Sequence, residues 1–405
     1  MASFSDHDVV IAATARTPIG RAHKGRLLQV RPDDLATLAL RAALDNVPQL
    51  ALTEVEDLYL GCAQPQDEHG QNIARRVAVL LGEDRLPAAT VNRFCASSLQ
   101  AARMAFHAIR AGEGEAYLVG GVECVSRYGN VTEAPHPGFQ DAHHRARVQL
   151  QESPVWSDPR DEHALPDVYI AMGGTAEFVA RRTGTSRRDQ DDYALLSQHR
   201  AGAAINSGFY AREITPVPLP DGTVMDTDDS PRPATTAEKL ATLPAAFVEG
   251  GTVTAGNACP LNDGAAAAVL LSGVKARALG ITPLARILST GVSGLSPEIM
   301  GLGPVDSSRM ALQRAGLRVE DIDIVELNEA FAAQVVPSAR TLGIDEERLN
   351  PYGGAIALGH PFGATGVRML GTLIHGLHES DGQFGLATLC VGGGQGMAMV
   401  VERLS

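Results

Sequence analysis

The stretch VNRFCASSLQ, residues 91–100, marks a change in the hydrophobic period of the chain. Upstream, residues 88–91 are small, apolar or β-branched, which is typical of a buried strand. Downstream, apolar residues recur every three or four positions, at Leu99, Ala102, Phe106 and Ile109. This is the period of a helix, and the glycine at position 112 ends it. The sequence therefore predicts a strand that turns directly into a helix, with Cys95 at the bend.

A thiol at such a bend has two interpretations. The unpaired N–H groups and positive dipole end of the helix would favour the thiolate, which makes the Cys95 sulfur nucleophilic near neutral pH. The alternative is a buried structural thiol, which is the usual state of a free cysteine. Motifs in the second half of the chain distinguish these two interpretations.

Composition limits the classes of function. The 405 residues are enough for two or three domains with a large core, and 44% of them are hydrophobic against 20% charged. The formal net charge of −13 disfavours a nucleic-acid partner and an anionic membrane surface. An anionic substrate would therefore have to be held by local basic groups and helix N-termini.

The five cysteines, at positions 62, 95, 124, 259 and 390, include no C-x-x-C pair. This spacing suggests neither a disulfide framework nor a zinc site, so we expect no metal and a reducing compartment. The longest apolar run, about 265–271, is far shorter than a membrane span. Because the N-terminal residues also lack a presequence pattern, the sequence predicts a cytoplasmic protein with no membrane span.

Strands and helices alternate twice along the chain, which predicts a duplicated α/β architecture with a mixed, mainly parallel sheet between helices. We expect a first half at 1–121 plus 252–275, an inserted loop domain at 122–251 and a second half at 276–405. In the second half, a strand or tight turn is expected at 353–358 and a helix at 363–377. If the halves pack about a pseudo-twofold axis, the turns that carry Cys95 and His360 approach each other.

Four motifs stand in order along the chain: N-R-F-C at 92–95, N-E-A-F at 328–331, G-G-A-I-A-L-G-H-P at 353–361 and C-V-G-G-G at 390–394. In this combination the chain resembles the thiolase family, the acyl-CoA C-acyltransferases, over nearly its whole length. The resemblance implies that the two halves form a five-layered α-β-α-β-α arrangement. It also implies a homodimer or homotetramer.

The resemblance implies a role for each motif. Cys95 would carry the acyl group. His360 would hold Cys95 as a thiolate, and it would also line one oxyanion hole together with a water positioned by Asn328. Cys390 would be the acid and base at the α-carbon. The backbone N–H groups of Cys95 and Gly392 would form the second oxyanion hole. These residue types suit Claisen chemistry, which needs a nucleophile, a base and oxyanion donors. Taken singly, each residue could also be ordinary core or a helix cap.

The resemblance also implies a pocket for pantetheine and the acyl chain, lined by Met172, Cys259, Met300, Ala330 and Phe331. The chain departs from the family pattern at Ser98, where thiolases commonly have glycine, and at Cys259, where well-known acetoacetyl-CoA thiolases have serine. The arginines at positions 181, 182, 187 and 188 could meet CoA phosphates, although a solvated charged face is the simpler interpretation.

The predicted activity is that of a thiolase in fatty acid and lipid metabolism, which interconverts a 3-oxoacyl-CoA plus CoA with acetyl-CoA plus a shortened acyl-CoA. The expected partners are CoA and its thioesters, and no cofactor is expected because CoA is a substrate. Two alternatives remain: a decarboxylating ketoacyl synthase relative, and a non-catalytic thiolase-like subunit that binds CoA or lipid.

Overall fold

The computed structural model describes residues 4–129, 135–153 and 155–404. Its strands are β1 Val9–Arg16, β2 Gly20–Arg21, β3 Asp57–Gly61, β4 Ala88–Val91, β5 Ala116–Cys124, β6 Val217–Pro218, β7 Val224–Met225, β8 Asn262–Ser272, β9 Ala285–Gly294, β10 Ile324–Leu327, β11 Phe384–Val391 and β12 Gln395–Arg403. Its helices are α1 Pro32–Asp45, α2 Ile73–Leu80, α3 Ser97–Ala111, α4 Gln140–Glu152, α5 Met172–Thr183, α6 Arg187–Asn206, α7 Ala237–Ala241, α8 Gly273–Ala278, α9 Gly303–Ala315, α10 Ala332–Leu342, α11 Ala355–Leu358 and α12 Thr365–Ser380.

Nine strands join in the order β10-β11-β12-β9-β1-β8-β5-β3-β4, and β2 pairs with the end of β8. The two halves meet where β1 pairs with β9 at Val10–Arg286 and Ile11–Ala285. Among the pairings between the strands named above, only β3/β4, β3/β5 and β10/β11 are parallel. The expectation of a mainly parallel sheet is therefore wrong. Hydrophobic period indicates a strand but not its direction, and β8, β9 and β12 all run against their neighbours.

Helices and sheet stack in five layers. Helices α1 and α2 share one apolar core with the outer face of the first half of the sheet. Helices α3 and α12 lie in the middle, where Leu99 and Ala102 share a core with Leu370 and Ile374 and with the inner faces of both halves. Helices α9 and α10 cover the outer face of the second half. The predicted five-layered arrangement is confirmed.

The third strand of the second half differs from its expected place. Of the strand or tight turn expected at 353–358, the structure contains the turn, since residues 355–358 form the one-turn helix α11. In this half the strand is reduced to a single parallel bridge between Leu349 and Val325 of β10. The short apolar run at 355–358 fits both structures by its period alone, so the sequence could not distinguish them.

The insertion contains helices α4, α5, α6 and the short α7. Helix α4 buries only Ala142 and Ala146 and is otherwise strongly polar, so its apolar period is too weak to read from the sequence.

Candidate active site

Cys95 lies in a 3₁₀ turn, Phe94–Ala96, between β4 and α3, as the change of period predicts. Phe94 has a φ of 44°, a left-handed conformation that residues other than glycine seldom adopt. Two hydrogen bonds hold this turn: the Asn92 side-chain oxygen accepts from the Phe94 N–H at 2.9 Å, and the Ser97 hydroxyl donates to the Phe94 carbonyl at 2.6 Å. Conformational strain at such a turn is characteristic of functional sites.

The environment of Cys95 favours the thiol. Desolvation raises the pKa of Cys95 to about 11, although the backbone N–H groups of Gly392 and of Cys95 itself lie within hydrogen-bonding reach of the sulfur and oppose this rise. The expected resting thiolate is therefore not stabilised by the helix terminus alone. A neighbouring base has to take the proton when the sulfur reacts. The two N–H groups assigned to an oxyanion hole converge on the reacting atom.

His360 can act as that base. It lies between α11 and α12 and is 1% exposed, and desolvation together with the charge of Arg368 lowers its pKa to about 3. The Thr365 hydroxyl donates to the Pro361 carbonyl at 2.9 Å, so it accepts from His360 Nδ1 at 2.6 Å. This assigns the proton to Nδ1 and leaves Nε2 as an acceptor, 3.3 Å from the Asn328 side-chain nitrogen.

The backbone of His360 is held by the first half of the chain. Its N–H donates to the Asn262 side-chain oxygen at 2.9 Å, while the Asn262 side-chain nitrogen donates to the Gly20 carbonyl at 2.9 Å. The preceding Gly359 has a φ of 114°, and a Cβ there would lie 2.5 Å from Asn262. Only glycine meets both the backbone conformation and the close approach at this position.

The 3₁₀ turn of Cys95 contacts α12, the helix that begins five residues after His360, which agrees with the predicted approach of the two turns. Ser98 links them, because its hydroxyl accepts the N–H of Val367 at 3.1 Å. Val367 belongs to the first turn of α12, whose N–H groups have no partner within the helix. Ser98, which stands where thiolases commonly have glycine, therefore caps the helix of the other half.

Asn328 and Glu329 follow the end of β10. The Asn328 side-chain oxygen is buried and has no hydrogen-bond partner among the described residues, so it is free to hold a water or a substrate atom. Glu329 is fully buried and accepts from Tyr193, Ser197, Asn350 and Ile356. Because Ile356 lies in α11, this carboxylate anchors the segment that leads into His360.

Cys390 lies near the end of β11, fully buried. It shares one apolar cluster with Met300, Ala330 and Phe331. Burial raises the pKa of the Cys390 thiol well above its usual range, and the neighbouring cysteines at positions 95 and 259 add to this rise. The fold thus brings three thiols close together at an apolar wall.

Of the two other residues expected in the pocket, Cys259 is bonded to this wall and Met172 is partly exposed. The Cys259 N–H donates to the Ala330 carbonyl at 3.0 Å, which ties Cys259 to the wall. Met172 begins α5 and is 38% exposed. Phe247 contacts both the wall and α5: its ring is 6.0 Å from the ring of Phe331 and in close contact with Gly173.

Sequence reasoning assigned no role to Asn262, Thr365 or Phe247. The position of Thr365 in the first turn of a predicted helix, five residues after His360, was an available signal for a hydrogen bond to the imidazole. Asn262 and Phe247 are remote in sequence from the residues that they contact, so their positions follow from the tertiary fold only.

The arginines of the insertion have partners within the insertion and its surroundings. Arg181 and Arg187 donate to backbone carbonyls. Arg182 lies over the Trp156 ring at 4.9 Å, and Arg188 pairs with an exposed aspartate. These contacts fit structural roles better than phosphate binding.

Among the described residues, no group of three or more His, Cys, Asp or Glu side chains could hold a metal ion. No helix in the described part of the chain is long and apolar enough to cross a membrane.

Comparisons with known proteins give one consistent result. The family model "Thiolase, N-terminal domain" matches residues 9–273, and "Thiolase, C-terminal domain" matches residues 281–403. The chain is 42% identical to a 3-ketoacyl-CoA thiolase of Bacillus subtilis, over 98% of this chain and 99% of that protein. It is 43% identical to the 3-oxoadipyl-CoA/3-oxo-5,6-dehydrosuberyl-CoA thiolase of Escherichia coli, over 96% and 98%. The crystal structure of human mitochondrial 3-ketoacyl-CoA thiolase superposes with a TM-score of 0.86 at 36% identity, over 99% of this chain and all of that one.

Proposed function

Because this chain belongs to the thiolase family and is an acyl-CoA C-acyltransferase, we propose that it cleaves a 3-oxoacyl-CoA with CoA through an acyl-Cys95 intermediate, and that it also runs the reverse condensation. One observation carries the assignment of roles. A neutral His360, with Nε2 unprotonated, lies 3.3 Å from the Asn328 side-chain nitrogen, and the thiols of Cys95 and Cys390 are close enough to feel each other's charge.

In the first half-reaction, His360 Nε2 takes the proton of Cys95 and the sulfur attacks the 3-oxo carbon. The backbone N–H groups of Cys95 and Gly392 donate to the oxyanion that forms there. The bond between C2 and C3 then breaks, and C2 takes a proton from Cys390 to give acetyl-CoA. The enolate oxygen on that side is stabilised by the protonated His360 and by a water at Asn328.

In the second half-reaction, CoA gives its thiol proton to the Cys390 thiolate and attacks the acyl group on Cys95. The Cys95 sulfur leaves as a thiolate and recovers the proton that His360 holds. All three groups return to their starting protonation states, so the cycle is balanced and ping-pong in form.

The apolar wall formed by Met300, Ala330 and Phe331, together with Cys259 and Met172, supports binding of pantetheine and the acyl chain. The relatives carry names that cover both 3-ketoacyl-CoA and 3-oxoadipyl-CoA substrates. We propose 3-oxoacyl-CoA thioesters as the substrate class of this chain.

The two alternatives differ from this proposal in the residues that they need. A decarboxylating ketoacyl synthase would want His or Asn in place of Cys390. A non-catalytic subunit would be expected to lack one of Cys95, Asn328, His360 and Cys390, and the chain retains all four.

We propose that the protein forms a homodimer or homotetramer in the cytoplasm. Each chain is proposed to consist of a first half at 1–121 plus 252–275, an insertion at 122–251 and a second half at 276–405. The position of β8 inside the first half of the sheet supports the assignment of 252–275. Light scattering on the purified protein at low micromolar concentration tests the assembly, and a monomeric mass would contradict it.

The test of function is the loss of the 3-oxoacyl-CoA enolate absorbance on addition of CoA, with acetoacetyl-CoA and a longer-chain substrate run side by side. We expect activity in the wild type and its near-complete loss in Cys95→Ser. The matched control is Cys124→Ala, a change at a fully buried thiol in β5, which should remain active. Equal activity of Cys95→Ser and the wild type would refute the assignment of the nucleophile.

A further inference from the structure

A buried ion pair lies behind the candidate catalytic histidine. Glu326 of β10 and Arg368 of α12 are 1% and 3% exposed, and one Arg368 guanidinium nitrogen donates to Glu326 Oε2 at 3.1 Å. Glu326 Oε1 and Arg368 Nε have no hydrogen-bond partner among the described residues. A buried pair with incomplete hydrogen bonding adds little net stability, because the cost of desolvating two charges offsets their attraction.

The position of the pair relates it to His360. Glu326 and Asn328 are two residues apart along an extended chain, so their side chains lie on the same side. Thr365 and Arg368 are one helical turn apart on α12 and share a face. The contacts Asn328–His360–Thr365 and Glu326–Arg368 therefore form two neighbouring links between α12 and the segment formed by β10 and the residue after it.

The charges of the pair act on the imidazole in opposite directions. The positive charge of Arg368 opposes protonation of His360. A negative charge on Glu326 offsets that of Arg368 and so favours protonation. When His360 takes the proton of Cys95, the charges of Glu326 and Arg368 therefore set the free-energy cost of the new positive charge on the imidazole.

We propose that Glu326 and Arg368 are positioning residues that act through His360. The ion pair between them sets how readily the imidazole takes the proton of Cys95. This inference rests on the proposed function, since it assigns His360 as the base. Burial raises the pKa of Glu326 to about 8, so its charge changes within the range in which the enzyme can be assayed.

Other charged and titratable groups face the pair. Glu326 is close enough to Glu329 and Glu213 to feel their charges. Tyr210 and Tyr352 feel the charge of Glu326 in turn. Beyond Glu213 lies Arg16, which pairs with Glu213 and with Asp228 at 2.8 Å each. These groups are common to all the variants below, so differences between variants report on the pair itself.

The experiment measures the rate of Cys95 alkylation by iodoacetamide from pH 6 to 10, with the modified peptide identified by mass spectrometry. Removing the positive charge in Arg368→Met should raise the basicity of His360 and speed alkylation about tenfold at neutral pH, the effect of one pKa unit. Glu326→Gln should slow alkylation about tenfold above pH 8, where the wild-type carboxylate is ionised. The double variant should lie between the two. A purely structural role would change both single variants in the same direction, and that result would overturn the proposal.

The matched control is Glu402→Gln, which removes another buried carboxylate with an arginine partner, Arg286, at the far end of β12. Its alkylation profile should equal that of the wild type. If Glu326→Gln does not fold, Arg368→Lys and Arg368→Met decide the question. The lysine variant keeps the charge and should keep the wild-type profile, whereas identical profiles for the two variants would overturn the proposal.

Alkylation requires no turnover, so it separates this inference from the proposed function. Absence of thiolysis in the wild type would remove the proposed function. Opposite effects of the two charges on Cys95 reactivity would still establish their coupling to the nucleophile.

Discussion

Replacing Glu329 by glutamine should destabilise the protein and loosen the segment that carries His360. Each Glu329 oxygen accepts one hydroxyl and one N–H: Oε1 takes Tyr193 at 2.8 Å and the Asn350 amide at 2.9 Å, and Oε2 takes Ser197 at 2.6 Å and the Ile356 backbone at 3.0 Å. The hydroxyls can rotate to accept from a glutamine NH₂ group, but the N–H donors cannot. In either orientation of the amide, one buried N–H therefore faces another donor.

An orphaned buried donor costs about 1–3 kcal/mol, and the remaining hydrogen bonds lose about 1 kcal/mol with the ionic charge. We expect Glu329→Gln to lower the free energy of unfolding by about 2–4 kcal/mol. With about 2.1 cal/mol/K of unfolding entropy per residue, a chain of 405 residues melts about 1.2 °C lower for each kcal/mol. The expected fall in Tm is about 2–5 °C, measured by calorimetry, and kcat should fall with it.

The matched control is Tyr193→Phe, which removes one rotatable donor and leaves the carboxylate with three partners. It should lower the Tm by about 1 °C. A Glu329→Gln variant that melts within 1 °C of the wild type, or a Tyr193→Phe variant that melts lower than Glu329→Gln, would refute the hydrogen-bond accounting.

Three further predictions concern other contacts. Ser98→Ala leaves the Val367 N–H at the start of α12 without its acceptor, so the Tm should fall by about 1 °C, in line with a lost helix cap; an unchanged Tm would show that water replaces the hydroxyl. Cys390→Ala should let acyl-Cys95 accumulate, detected by mass spectrometry of the peptide, while turnover is nearly abolished; substantial residual thiolysis would reject the role of Cys390. Burial lowers the pKa of His69 to about 4 from 6.5, so the unfolded chain takes up a proton as the pH falls through 6.5 while the folded chain does not, and stability is lost from there down to about pH 4. His69→Gln should reduce this loss by up to about 1.4 kcal/mol per pH unit, measured as Tm against pH beside the wild type.

The sequence allowed much of the architecture to be predicted. The period change at Cys95, the repeat of α/β units and the four motifs led to the five layers and to the meeting of the two turns. These features depend on local period and on motif order, both of which are visible in a single chain.

Other features depend on the tertiary fold. Strand direction was wrong because period carries no direction. The segment 355–358 is helical because Glu329 accepts the Ile356 N–H there and Leu349 already supplies the bridge to β10. The protonation state of Cys95 was also misjudged, since desolvation outweighs the helix terminus.

The place of β1 at the centre of the sheet has a consequence for synthesis of the protein. Strand β1 ends at Arg16, but its partners β8 and β9 begin only at Asn262 and Ala285. At about 5–20 residues per second, a ribosome makes the intervening segment of about 250 residues in roughly 12–50 s. During that time an eight-residue strand, fully buried in the folded protein, has both edges open. Nascent chains of this protein should therefore depend on chaperones that cover exposed strand edges until translation has passed residue 294.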